Sequence, residues 1–128
     1  MPFASDTATF LSTDGRSVTL TEPLIFVSLE RGATTTVPAG FASDGTSTPR
    51  AVWDILPPFG KYWRAAILHD YLYRETWLDQ ETCDGIFLEA MESLGVSRLE
   101  RAAIYAGVRL GGHLPFDQDR KLLGQRKR

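Results

Sequence analysis

Apolar positions recur at the short period of strands over the first forty residues and at the longer period of helices over the second half. Asp14-Gly15 is a tight-turn dipeptide, and Val18 and Leu20 alternate with polar neighbours after it. Residues 23–30, PLIFVSLE, form an apolar run of strand length. Arg31-Gly32 then turns the chain, and ATTTV is β-branched up to Pro38. This pattern predicts two linked hairpins forming one small antiparallel sheet within residues 1–40.

Residues 41–60, FASDGTSTPRAVWDILPPFG, are dense in Gly, Pro and small hydroxyl residues, which interrupt regular structure. A short helix is predicted near 49–56, with Thr48 as N-cap, Pro49 in the first position and Pro57-Pro58 ending it. Three helices are predicted in 61–112. The first covers 61–74, with Tyr62, Ala65, Ala66, His69, Leu72 and Tyr73 on one face. The second covers 80–94, capped by Asp79 and closed at Gly95, with Cys83, Ile86, Phe87, Ala90, Met91 and Leu94 in one stripe. The third opens on the capping box SRLE, Ser97 with Glu100, and ends at Gly111-Gly112. Residues 113–128 read as a C-terminal tail. Strands followed by helices give an α+β fold, and 128 residues suit a single domain.

Composition narrows the function classes. A hydrophobic fraction of 43% and a charged fraction of 23% suit an ordinary soluble domain. With 14 basic and 16 acidic residues the net charge is −2, which argues against a nucleic-acid partner. Five of the basic residues crowd into RKLLGQRKR at the C-terminus, read as a solvated tail. Cys83 is the only cysteine, so neither an intrachain disulfide nor a Cys-based zinc site is expected. No run is long and apolar enough to span a membrane, and MPFASDTATF lacks the marks of a signal peptide. A reducing cytoplasm is the expected place of synthesis.

The chemistry concentrates in RAAILHDYLYR, residues 64–74. The first two helices are joined by a short link, so they should be antiparallel neighbours. His69 lies seven and a half positions before the midpoint of that link, and Asp84 seven and a half after it. The two should therefore face each other. Asp84 also sits in an apolar stripe, where a carboxylate is costly unless paired. Gly85 beside it lowers helix propensity, which a close approach by another element would explain. A carboxylate on one ring nitrogen orients a histidine and leaves the other nitrogen to take a proton from water. The same pair also satisfies a buried core histidine without any chemistry. Asp70, one residue on and so about 100° around the helix, should emerge at the edge of the helix pair, either as a metal ligand beside the base or as the salt-bridge partner of Arg74 or Arg64.

HDYLY followed by CDGIF resembles the core of the secreted, calcium-dependent phospholipases. That resemblance implies His69 as the base that activates water, Asp70 as a calcium ligand, and Tyr73 and Asp84 as the hydrogen-bond network behind the histidine. The glycine-rich calcium loop of that family has no counterpart; GFASDGTSTP has a different pattern, and the disulfides are missing. A longer stretch, about residues 40–112, is similar to a family of small phage and prophage proteins of unassigned function. The matching pieces are GFASDGTSTPRAVW, LPPFGKYWRAAILHDYLY, CDGIFLEAM and GVSRLERAAIYAGVRLGG. This resemblance implies a viral origin but supplies no activity.

SDGTSTPR adds further candidates. Asp44 could join Asp70 around a divalent cation such as calcium, with Ser47 and Arg50 lining the pocket; the plain alternative is an Asx turn leading into a capped helix. Ser47 lacks a nucleophile elbow, so a Ser47–His69–Asp84 triad ranks low. Two functions follow. One is a phage-encoded hydrolase acting on an ester or amide, with the cell envelope as substrate. The other is a non-catalytic part of the virion, in tail, neck or head, whose partners are phage structural proteins.

Overall fold

The computed structural model describes residues 3, 10–12, 18–43 and 63–126. Five strands precede four helices: β1 (Phe10–Ser12), β2 (Val18–Leu20), β3 (Leu24–Ser28), β4 (Ala33–Val37), β5 (Ala42–Ser43), α1 (Trp63–Glu75), α2 (Gln80–Ser93), α3 (Arg98–Gly111) and α4 (His113–Arg126). The fold is α+β. The short helix predicted near 49–56 and the Asp14-Gly15 turn lie outside the described residues.

The strands form two small antiparallel sheets rather than one. β1 pairs with β2, and β5 joins the other side of β2. β3 and β4 pair only with each other, in the register Leu24↔Val37 to Ser28↔Ala33. The division follows from the chain's return after β4. Gly40, with φ of 90°, turns it so that Gly40 N donates to Leu20 O and Leu20 N to Phe41 O. The segment after β4 therefore fills the open side of β2.

Alternation decides which face of β3 is buried. Leu24, Phe26 and Ser28 point inward, and Ile25 and Val27 are half-buried. Phe26 packs on Phe3 with ring centroids 4.9 Å apart. The β3–β4 turn is fastened to α2 by Glu89, which accepts from Ser28 Oγ at 2.7 Å and from Leu29 N at 3.0 Å. Arg31 of the same turn lies over Gly85, so a Cβ there would collide with the guanidinium. That is the close approach the glycine foretold.

α2 begins and ends where the sequence places its caps. Asp79 accepts from Thr82 N at 2.9 Å, and Gly95 adopts φ of 78° after the C-cap. At α3, Ser97 Oγ accepts from Glu100 N at 3.2 Å, the hydroxyl half of the predicted box.

Residues 113–126 correct the reading of a solvated tail. They form a fourth helix, α4, packed on α1. Pro115 falls in its first turn, where a missing N–H costs little. Two of the basic residues cap the end of α1. Arg120 donates to Tyr73 O at 3.0 Å and to Leu72 O at 3.1 Å, and Arg126 donates to Arg74 O at 2.9 Å. The last carbonyls of a helix have no partner within it, so cations are drawn there. Leu123 completes the contact by burying fully.

Candidate functional site

α1 and α2 are the antiparallel pair expected from their short link, and His69 meets Asp84 across it. His69 Nε2 stands 2.7 Å from Asp84 Oδ1. Both side chains are fully buried. Tyr73, one turn after His69, donates its hydroxyl to the same oxygen at 2.6 Å. Burial and the adjacent Asp84 carboxylate together push the Tyr73 phenol well above its ordinary value, so it remains a donor.

The second oxygen of Asp84 is taken by α3, where Arg109 Nη1 donates to Oδ2 at 2.8 Å. This bond holds the Arg109 guanidinium above its usual value. Sequence reasoning missed Arg109, although the signal was there. Reflecting Asp84 about the middle of the α2–α3 link gives position 107, and an arginine two residues on has the reach to close the offset.

Tyr73 and Arg109 both donate to Asp84, so its carboxylate faces the ring as an acceptor. The ring nitrogen facing it must then carry a proton. In the neutral ring, that leaves Nδ1 as the bare acceptor. Nδ1 is buried and has no hydrogen-bond partner among the described residues. The ring is held between Tyr73, at 4.2 Å between centroids, and Phe87, at 4.6 Å. Position, tautomer and ring plane are thus set by four side chains from three helices.

Gly112 lets the α3–α4 corner approach this network. A Cβ there would collide with Val108 O and come within 2.9 Å of the Tyr73 hydroxyl. The glycine is needed for packing rather than for an unusual backbone, since its φ is −79°.

Asp70 does not emerge at the edge of the helix pair as its position suggested. It is 1% exposed and pairs with Arg74 Nη1 at 3.4 Å. Arg74 also donates to Ala42 O at 2.6 Å and lies over the Phe41 ring, tying α1 to β5. The described residues do not by themselves fit a calcium ion. No group of three or more His, Cys, Asp or Glu side chains is placed for a metal among them, and calcium takes six to eight oxygens. Asp44, Ser47 and Arg50 lie outside the described residues. His113 is exposed. No helix among the described residues is long and apolar enough to cross a membrane.

A family model described as "Protein of unknown function (DUF1353)" matches residues 18–108. The chain belongs to the DUF1353 family. The match spans β2 through most of α3, so it takes in His69, Tyr73, Asp84 and the elements that hold them, and stops one residue short of Arg109. The family description gives no activity. No curated protein and no solved structure matches the chain significantly.

Proposed function

We propose that this DUF1353 protein is a hydrolase-like protein of phage origin in which His69 activates a water against an ester or amide of the cell envelope. The observation that carries the reading is the asymmetry of the imidazole. Nε2 is fixed by Asp84, while Nδ1 is a buried acceptor with no partner among the described residues. Leaving such an acceptor unmet costs about 1–3 kcal/mol, so a fold that needed only a satisfied core histidine gains nothing from it. A water oxygen that donates to Nδ1 is the natural complement.

The step balances without further groups. The water oxygen bonds to the carbonyl carbon as its proton passes to Nδ1. The positive charge then on the ring is stabilised by Asp84, whose own position is kept by Tyr73 and Arg109. When the tetrahedral intermediate collapses, Nδ1 returns the proton to the leaving oxygen or nitrogen. No part of this step is routed through a cation at Asp70.

The rival reading, a non-catalytic virion component, is favoured by one observation. His69, Tyr73 and Asp84 are all 0% exposed, as a structural core network would be. Purified wild type and His69→Asn, assayed on p-nitrophenyl butyrate and on muramyl peptide fragments alongside urea melts, separate the two. The catalytic reading expects a folded variant that loses about 10²–10⁴-fold of the hydrolysis, the usual contribution of a positioned base. Wild-type rates no higher than those of the folded variant, or of buffer alone, would leave the structural reading.

A further inference from the structure

β4 has a partner on one side only. β3 pairs with it throughout, and no strand among the described residues pairs with its other edge. Along that edge runs an open groove of about 480 Å³, lined by Thr34, Thr35, Thr36, Tyr71, Leu72, Thr76, Trp77 and Leu78. Successive strand residues point to opposite faces, so a groove that touches all three threonines lies along the strand edge. None of its lining comes from β3, which places it on the unpaired side.

The opposite wall is built to stay in place. Thr76 Oγ1 donates to Leu72 O at 2.6 Å and accepts from Leu78 N at 3.4 Å, which pins the α1–α2 link. Behind Trp77 stands α4, with the Arg120 guanidinium 6.0 Å from the indole centre. The indole is nevertheless 63% exposed. A large aromatic, held from behind and open in front, faces a strand edge that no strand among the described residues covers.

We propose that this groove binds an extended, uncharged peptide segment, which pairs with β4 as an added strand and sets an apolar side chain against Trp77 and Leu78. The unpaired edge asks for a ligand with a strand's own N–H and C=O spacing. Natural sheets block such edges with charge, proline or a bulge. The stretch Thr34–Thr36 has none of these, and the lining holds no charged side chain among the described residues. A neutral strand is therefore favoured over an acidic or basic one. This proposal is independent of the reading of His69.

The test is a titration of the full ¹⁵N-labelled chain with the peptide acetyl-STVLVTS-amide, followed by NMR. Saturable shifts in the amides of β4 and in the Trp77 indole N–H are expected. The control acetyl-STVPVTS-amide lacks the central N–H and should bind about tenfold more weakly, as should the Trp77→Ala variant, whose mutated side chain is largely solvent-exposed. Absence of shifts at millimolar peptide overturns the proposal, as does equal binding of the two peptides. It is also overturned if chitotetraose moves these amides and the peptide does not, or if they change with protein concentration alone, which would mean a second copy occupies the edge.

Discussion

α1 meets its neighbours α2 and α4 through polar contacts of opposite kind. On its α2 side, side chains meet side chains: His69 and Tyr73 meet Asp84 inside a fully buried seam that Arg109 completes. On its α4 side, side chains meet the main chain: Arg120 and Arg126 bond the carbonyls of Leu72, Tyr73 and Arg74. The first contact depends on one irreplaceable carboxylate. The second spreads cations over a helix end that always offers acceptors. The first should therefore fail abruptly when broken, and the second gradually.

The largest expected effect breaks the seam. Asp84→Ala strands three donors at once and should cost about 3–5 kcal/mol, the usual loss when one partner of a buried ion pair is removed. Urea unfolding of the variant measures it. A smaller loss would mean that water reaches the seam.

Next comes the end of α1. Arg120→Ala removes two carbonyl bonds and the guanidinium over Phe116, centred at 4.5 Å, and should cost about 2 kcal/mol by the same measurement. If it equals Asp84→Ala, the contrast between the two contacts is wrong.

Cys83 sits where the contacts meet, with Arg120 Nη2 3.7 Å from its sulfur. Burial pushes its thiol from the ordinary 9.0 up to about 12. The unfolded chain loses this proton first as pH rises, so the stability it contributes is complete below about 9 and is lost progressively towards about 12. Unfolding titrations across that range should show falling stability, with a shallower slope in Cys83→Ala.

The smallest effect lies outside both contacts. The exposed carboxylate of Asp79 is lowered by the hydrogen bond from Thr82. Its contribution holds above the unfolded value near 3.8 and fades as pH falls through the lower folded one. Asp79→Ala should lower the melting temperature slightly at neutral pH, and the difference should shrink in acid.

The two contacts also differ in how far the sequence discloses them. The His69–Asp84 pair follows from a short link, a helical period and the cost of an apolar-stripe carboxylate, all written in residue identities. Arg109 was recoverable by repeating that reflection at the next link. The α4 contact was not legible, because its acceptors are backbone carbonyls that every residue carries. A polar segment such as RKLLGQR reads as solvated until the helix end beneath it is known. The two-sheet arrangement was hidden for a similar reason. Strand patterns identify strands and their faces, but whether β2 pairs with β3 or with the returning β5 depends on the path through Gly40. Asp70 shows the limit of angular reasoning: its place on the helix suggested an edge, while packing around it made it buried.

The most direct test of the central claim is the protonation of the His69 ring itself, read by ¹⁵N NMR of imidazole-labelled protein at neutral pH. The account predicts a proton on Nε2 and a bare Nδ1, with the ring signals changing in Asp84→Asn. A proton on Nδ1 with Nε2 bare would contradict it, since the nitrogen assigned to water would then be the wrong one.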